Sequence, residues 1–205
     1  GTYQKNLNDF LKSAKENNKI VILDNASSPM SEINGLNICN FGDSCIGSLH
    51  HTKYLGFGEG GFIVIDKNHY EEINEILGFG FKSSNKRRSY SSLSSNFKIS
   101  DVNSAAILQH IKRYDIDNHL KIQNEFVEYI SKFENIQVFN YKGGVVYGCL
   151  PLLYKDGPID NLFFTNLGVE AQKYYKPLAS HPNSEWLFSR MINLPLHSNL
   201  SEYEI

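Results

Sequence analysis

The sequence predicts an α/β protein, and three observations indicate that class. Residues 6–17 place apolar side chains at helical spacing, and a continuous apolar run follows at 19–24. Such a run is typical of a strand that is buried on both faces of a parallel sheet. A glycine-rich turn at 56–61 then leads into a second apolar run at 62–66. Helices and strands therefore alternate along the first half of the chain, as they do in α/β folds.

The first half of the chain carries further predicted elements. A broken strand pair is expected at 35–49, and its second strand, 44–49, leads into the run that ends at Lys53. Residues 69–77 have the periodicity of an amphipathic helix. The polar, serine-rich stretch 82–96 has no periodicity and is predicted to be a long loop.

The second half of the chain predicts two helices, at 102–114 and 115–133, that link a large domain to a small one. The smaller elements beyond them are strands at 136–140 and 145–153 with a turn at Gly143-Gly144, a helix at 160–167 ended by Gly168, a strand at 169–175, a loop at 176–186, a helix at 186–191 and an extended segment at 192–195. We accordingly expect a large domain over residues 1–115, and a linking helix with a small α+β domain over 116–205.

The composition describes a globular protein and excludes several classes. Of the 205 residues, 41% are hydrophobic and 20% are charged. The net charge of −2 provides no basic field for nucleic acid, so no nucleic-acid partner is expected. No apolar run approaches the length of a membrane span and none has the form of a signal peptide, so no membrane partner is expected either.

Three cysteines, Cys39, Cys45 and Cys149, occur without a CxxC spacing. Their odd number and their spacing argue against a disulfide framework or a zinc site and favour a reduced, cytoplasmic setting. We expect Cys39 and Cys45 to pack as small hydrophobic side chains in a strand-like run.

Two charged residues stand at positions that favour chemistry. Asp24 ends the first apolar run, and ligands of open α/β sheets bind just outside the carboxyl ends of strands. Its position alone leaves open the alternative that Asp24 is a solvent-facing strand end or a helix cap. Lys53 lies between a strand end and the turn at 56–61, which few residues other than glycine could form.

His50 and His51 raise the question of a metal site. Side chains of adjacent residues on a strand point to opposite faces, so the two histidines are not expected to bind one ion. We therefore predict no metal site.

Several short segments resemble the motifs of the DegT/DnrJ/EryC1/StrS family, which are pyridoxal-phosphate sugar aminotransferases of fold type I. These segments are Leu23-Asp24-Asn25-Ala26-Ser27, Ser48-Leu49-His50-His51-Thr52-Lys53, Gly58–Gly61, Asn96–Ala106, Tyr174–Leu178 and Leu194–His197. Each is short, and the resemblance rests on their order and spacing along nearly the whole chain. It implies part of a fold type I large domain, a mostly parallel sheet with helices, followed by a small C-terminal α+β domain.

The resemblance also implies roles for individual residues. Lys53 would bind pyridoxal 5′-phosphate as a Schiff base and later move a proton. Asp24 would face the pyridine nitrogen, and Ser48 would bind the phosphate. Ser27 and His50 would lie beside the cofactor.

Asn96 matches a family position that reaches the phosphate of the neighbouring subunit's cofactor, which implies a homodimer with shared active sites. Three positions depart from the family's pattern. Ser27 stands where Gln or His is usual, Lys98 where Arg is commoner, and Ala179 where His is frequent. Lys98 keeps the positive charge but loses the planar fork of donors that arginine offers.

The implied activity is transfer of an amino group, with glutamate as the usual donor, to a nucleotide-linked keto sugar in amino-sugar or cell-surface polysaccharide biosynthesis. Relatives that dehydrate 3-hydroxy sugars carry histidine in place of Lys53, so this lysine argues against that reaction. The segments match the later part of the family, and we expect the chain to be the C-terminal two thirds of such an enzyme. A non-catalytic dimerisation remnant is the alternative.

Overall fold

The structure is a computed structural model that describes residues 6–80, 93–138 and 144–200. The chain divides into two compact units. The N-terminal unit runs to Pro29 and resumes over Ile33–Arg113. The C-terminal unit takes Met30–Glu32 and the chain from Tyr114 onwards.

The N-terminal unit is a mixed α/β structure built on a three-stranded sheet. Helix α1 (Leu7–Glu16) confirms the first predicted helix and precedes strand β1 (Ile22–Asp24). A two-stranded sheet follows, made of β2 (Glu32–Ile33), where the chain re-enters this unit at Ile33, and β3 (Leu36–Asn37). The elements that complete this unit are β4 (Ser44–Ser48), β5 (Gly61–Ile65), α2 (Tyr70–Leu77) and α3 (Asp101–Arg113).

Strand β4 occupies the centre of the three-stranded sheet. It pairs in parallel with β1, through Leu23 opposite Cys45, and antiparallel with β5, through Val64 opposite Cys45. One sheet face packs on a cluster of buried apolar side chains from α1 and the 33–41 segment. That cluster consists of Leu7, Ile33 and Ile38, with Leu11, Leu23, Cys39 and Phe41 against it.

The prediction that residues 19–24 form a strand buried on both faces is wrong. Strand β1 has three residues, and the Ile22 side chain is 62% exposed. The register places Ile22 on the same sheet face as Ile46 and Ile63, which are also exposed. A continuous apolar run indicates two covered faces only where a second layer is present, and no described residue covers this face.

The helices of the N-terminal unit agree with their periodicity. Helix α2 follows a short 3₁₀ turn in which the Asp66 carboxylate accepts a hydrogen bond from the N–H of Asn68 at 2.8 Å. Most of the loop predicted at 82–96 lies outside the described residues. No helix in the described parts of the chain is both long and apolar enough to cross a membrane.

The described residues of the C-terminal unit form three helices and an antiparallel sheet. Helix α4 (Ile116–Ile130) is capped by Asp115, whose carboxylate accepts from the N–H of Asn118 at 2.9 Å. The remaining elements are strands β6 (Ile136–Val138), β7 (Cys149–Tyr154) and β8 (Met191–Pro195) and helices α5 (Asn161–Asn166) and α6 (Pro182–Arg190). The sheet order is β6-β7-β8, with both pairs antiparallel.

Two predictions for this unit are wrong. Residues 169–175 do not form a strand, because their pairing is limited to a single bridge between Gln172 and Asn193. Helix α6 begins at Pro182 rather than at 186, with proline in its first turn, where the missing N–H costs nothing. The turn predicted at Gly143-Gly144 lies partly outside the described residues.

Strand β7 begins four residues later than predicted, because side chains bind the preceding backbone. Val145 and Tyr147 are buried but lie outside the sheet. The Gln123 amide donates to the carbonyl of Val145 at 2.8 Å and accepts from the N–H of Tyr147 at 2.9 Å. The N–H of Val146 donates to the Ser31 hydroxyl at 2.9 Å. These bonds satisfy buried backbone groups that a strand ladder would otherwise satisfy.

All three cysteines are free thiols. Cys45 is completely buried, in accord with its predicted packing, and its sulfur lies 3.2 Å from that of Cys39. Burial, together with the Cys39 thiol and the charge of Asp24, raises the pKa of the Cys45 thiol to about 12.

We expect iodoacetamide at pH 8 to alkylate Cys45 last, because the reactive thiolate is both scarce and shielded from solvent. Mass spectrometry of peptides taken over time would measure the order. Guanidinium chloride should remove the difference between the three cysteines. Native Cys45 reacting as fast as Cys149 would contradict this prediction.

Candidate active site

Two predicted site residues lie on one face of the N-terminal sheet. Asp24 ends β1 opposite Ile46 of the parallel strand β4, and Ser48 follows two positions further along β4. Because side chains alternate along a strand, Asp24 and Ser48 project from the same face. They stand at the carboxyl ends of parallel neighbours, where open α/β sheets bind ligands.

The chain turns immediately after Asp24. The carboxylate of Asp24 accepts a hydrogen bond from the N–H of Ala26 at 3.1 Å, and the N–H of Asn25 continues the ladder to the carbonyl of Ile46 at 2.9 Å. Asp24 is exposed, and Ser27 is partly buried in the same turn. The carboxylate therefore faces solvent at the end of β1, and a ligand contact by Asp24 stays a prediction.

Lys53 lies at the tip of a segment that we call the lysine loop, residues 49–60. Backbone hydrogen bonds join its two arms, from Leu49 N–H to the Gly60 carbonyl at 2.9 Å and from His51 N–H to the Gly58 carbonyl at 2.8 Å. At the tip, Lys53 N–H donates to the carbonyl of His50 at 2.8 Å. The partly buried lysine is therefore held by a defined turn at the end of β4.

Two glycines make this loop possible. A Cβ atom at Gly56 would lie 1.8 Å from the carbonyl oxygen of His50, so no side chain fits. Gly58 has a φ of +67°, in the left-handed region that glycine adopts most easily. The prediction of a glycine-dependent turn is confirmed at these positions.

Helix α3 positions the lysine loop through contacts that sequence analysis missed. The Asn103 amide donates to the carbonyl of Glu59, and Nε2 of His110 lies 3.0 Å from the carbonyl oxygen of Tyr54. Asn103 falls within a segment that resembles a family motif, but its spacing gives no sign of a partner 44 residues away. We regard both side chains as positioning residues for the loop.

The prediction that His50 and His51 lie on a strand and point to opposite faces is wrong. Strand β4 ends at Ser48, and the two histidines lie in the turn beyond it. Their ring centroids are 4.1 Å apart, and Nε2 of His50 lies 3.3 Å from a carboxylate oxygen of Glu59. The other nitrogen, Nδ1, lies 2.8 Å from the hydroxyl of Thr52. The three side chains His50, His51 and Glu59 therefore converge.

Asn96 lies outside the strands and the loop that carry the other predicted site residues. It is exposed and pairs with Gly78 in an isolated bridge. It lines an open groove of about 960 Å³ together with Gly58–Gly61 and the start of α3. Asp24, Ser48 and Lys53 are not among the residues that line this groove.

The donor set at the end of the sheet fits pyridoxal 5′-phosphate. A carboxylate (Asp24) and a hydroxyl (Ser48) share one face, and a primary amine (Lys53) follows on a braced loop. The cofactor needs an acid beside its ring nitrogen, hydrogen-bond donors for its phosphate and an amine for its aldehyde. Each of these groups is present in the N-terminal unit.

Comparisons with solved structures show which known proteins share this fold. The chain is similar to a DegT/DnrJ/EryC1/StrS aminotransferase from Brucella abortus, with a TM-score of 0.83 and 19% identity over 98% of this chain and 58% of that one. It is also similar to PseC of Helicobacter pylori, an aminotransferase involved in the biosynthesis of pseudoaminic acid, with a TM-score of 0.82 and 19% identity over 98% of this chain and 60% of that one. The fold is therefore that of the fold type I aminotransferases.

The sequence comparison identifies the family. Residues 1–143 match the model of the DegT/DnrJ/EryC1/StrS aminotransferase family, and the chain belongs to that family. The uncharacterized protein MJ1066 of Methanocaldococcus jannaschii is 24% identical over 97% of this chain and 60% of its own length. The chain thus spans about 60% of the length of these relatives.

Proposed function

We propose that this chain is the cofactor-binding part of a pyridoxal-phosphate-dependent sugar aminotransferase. The substrates would be an amino acid, with glutamate as the donor, and a nucleotide-linked keto sugar. The product would serve amino-sugar or cell-surface polysaccharide biosynthesis. The observation that carries the proposal is the placement of Asp24 and Ser48 on one sheet face, with Lys53 on the loop that follows. Family membership supports the reaction class.

Pyridoxal phosphate, when bound, supplies an aldehyde for an amine and a ring that withdraws electrons from the substrate carbon. Lys53 would hold the aldehyde covalently and, once displaced by the substrate amine, would move a proton at the substrate carbon. Asp24 would hold the proton on the ring nitrogen. Ser48 would donate its hydroxyl hydrogen to a phosphate oxygen, and Ser27 and His50 would flank the ring.

The assembly and location follow from the same proposal. A homodimer with shared active sites would place Asn96 at the partner's cofactor phosphate, which accords with its exposed position. We place the enzyme in the cytoplasm, where nucleotide sugars are made and thiols stay reduced.

Covalent trapping at Lys53 tests the proposal. The natural full-length polypeptide, incubated with pyridoxal phosphate and then with borohydride, should carry a stable secondary amine that links the cofactor to Lys53. Peptide mass spectrometry would locate the adduct. The Lys53→Ala variant should lose it, whereas the exposed control Lys67→Ala should keep it. An adduct spread over surface lysines, or none, would overturn the assignment.

One observation favours a second candidate, a non-catalytic dimerisation remnant. The sheet face that carries Asp24 also exposes Ile22, Ile46 and Ile63, so the described chain alone encloses little of a cofactor. Titration of the 205-residue chain with pyridoxal phosphate separates the two candidates. Saturable binding at Lys53 supports the enzyme, and stable dimers that bind no cofactor support the remnant.

A further inference from the structure

The lysine loop brings together three side chains with the chemistry of metal ligands. His50, His51 and Glu59 each offer one ligand atom, and these atoms lie within 4.8 Å of one another. The Nε2 atom of His50 is 3.3 Å from a Glu59 carboxylate oxygen. Two imidazoles and one carboxylate form the ligand set that several zinc enzymes use.

The backbone of the loop explains why these residues meet. His51 N–H donates to the carbonyl of Gly58, which places the residue after Gly58 beside the two histidines. The carbonyl of Glu59 accepts a hydrogen bond from the Asn103 amide, which fixes the second arm to α3. The side chains therefore converge because the loop backbone is braced from both sides.

A further contact orients His50 as a ligand. Its Nδ1 atom lies 2.8 Å from the hydroxyl oxygen of Thr52, while Nε2 faces Glu59. Metal-binding histidines commonly use their second nitrogen in this way, and such a contact sets the tautomer and the orientation of the ring. The N–H of Thr52 also donates to Nδ1 at 3.3 Å, so in the metal-free protein Nδ1 accepts and Nε2 carries the proton toward Glu59. Metal binding at Nε2 requires that proton to leave this nitrogen, after which Nδ1–H donates to the Thr52 hydroxyl.

We propose that His50, His51 and Glu59 bind one divalent transition-metal ion of the zinc class. Imidazole nitrogens favour such ions over magnesium or calcium, which prefer oxygen ligands. Zinc takes its nitrogen ligands at about 2.0–2.1 Å in a tetrahedral arrangement, which sets the ligand atoms about 3.4 Å apart. His51 and Glu59 are exposed and free to close that gap by side-chain rotation. The fourth position stays open to water.

Metal binding here does not depend on the proposed aminotransferase activity. His51 and Glu59 have no proposed role at the cofactor, and His50, which would flank the cofactor ring, is tested here in the cofactor-free protein. The site is a property of the loop that carries Lys53. The two proposals can therefore fail separately.

Calorimetry tests the proposal on the natural full-length polypeptide, purified without a histidine tag and free of pyridoxal phosphate. Zn²⁺ should bind with one ion per chain at this loop, and Co²⁺ should give the visible absorption of a four-coordinate ion. His51→Ala and Glu59→Gln should each weaken Zn²⁺ binding by more than about 100-fold, and Thr52→Val by about 10-fold, as expected for direct ligands and for their support.

Two variants serve as controls. His69→Ala removes an exposed histidine outside the cluster, and the double variant Cys39→Ser/Cys45→Ser removes the paired thiols, which are also potential zinc ligands. Both should keep the affinity of the unmodified protein, and circular dichroism should show that every variant is folded. Zn²⁺ affinity unchanged in His51→Ala or Glu59→Gln, or lost in the cysteine variant, would overturn the proposal.

Discussion

Replacing Lys53 with alanine in the natural full-length polypeptide should lower kcat for transamination by at least about 10²–10⁴-fold. The proposed roles of the amine, holding the cofactor and moving a proton, both disappear, and a positioned general base alone is worth a factor of that size. The lysine lies at the tip of a braced loop, so no neighbouring lysine of the described chain replaces it without rebuilding that turn. Steady-state assays with glutamate and a keto sugar nucleotide would measure the effect.

The Lys53→Arg variant distinguishes the contribution of the positive charge from that of the covalent bond to the aldehyde. Arginine keeps the positive charge, but its guanidinium stays protonated and does not form the covalent bond to an aldehyde. We expect this variant to be as inactive as Lys53→Ala, whereas the surface variant Lys67→Ala should retain full activity. Pyridoxal phosphate should still bind non-covalently to both inactive variants through Asp24 and Ser48. Activity of Lys53→Ala within a factor of a few of the unmodified enzyme would contradict the assignment.

Helical periodicity predicted the helices well. Residues 6–17 and 102–114 were expected to be helical, and the structure has Leu7–Glu16 and Asp101–Arg113. Apolar side chains at helical spacing identify the residues that share one face of a helix, so a helix can be located from the local sequence. The burial of a strand cannot be predicted in this way, because it depends on helices or strands from elsewhere in the chain that pack on the sheet. The run at 19–24 is apolar, yet its Ile22 is exposed on the face that no described residue covers.

In the candidate site, too, some features follow from the local sequence and others depend on contacts between distant residues. The strand-end positions of Asp24 and Ser48 and the position of Lys53 before a glycine-rich turn could be predicted from local sequence. Their roles at a cofactor stay predictions. The convergence of His50 and His51 could not be predicted, because it depends on the residue at which β4 ends. The bracing by Asn103 and His110 also depends on tertiary packing, since each contacts a backbone carbonyl more than 40 residues away in sequence. Such contacts leave no pattern in the local sequence.

The second large effect, on stability, is expected from a buried polar network in the C-terminal unit. His119 is completely buried on α4, with Nε2 2.9 Å from the carbonyl oxygen of Tyr147 and Nδ1 2.5 Å from the hydroxyl oxygen of Tyr114. A carbonyl oxygen only accepts, so Nε2 carries the proton and donates to Tyr147. The Tyr114 hydroxyl then donates to Nδ1. Burial raises the pKa of Tyr114 to about 12, which keeps that hydroxyl protonated.

His119→Ala should lower the free energy of unfolding of the C-terminal unit by about 2–5 kcal/mol. The substitution leaves a cavity and removes the imidazole that donates to the buried Tyr147 carbonyl and accepts from the partly buried Tyr114 hydroxyl. Urea titration followed by the fluorescence of Trp186, the single tryptophan and a residue of this unit, would measure the change. The exposed control His181→Ala should stay within about 0.5 kcal/mol of the unmodified protein.

The same histidine should make the unit sensitive to acid. Burial lowers the pKa of His119 in the folded state, despite the opposing hydrogen bond to the Tyr147 carbonyl, while the unfolded chain keeps the ordinary value of about 6.5. As the pH falls below about 6.5, the unfolded state binds a proton that the folded state resists, so the free energy of unfolding decreases. The decrease has a slope of up to about 1.4 kcal/mol per pH unit and ends at the lowered folded-state pKa. His119→Gln removes this group, and its unfolding free energy should fall less steeply below pH 6.5 than that of the unmodified protein. Equal slopes in the two proteins would show that His119 is not the residue that takes up the proton.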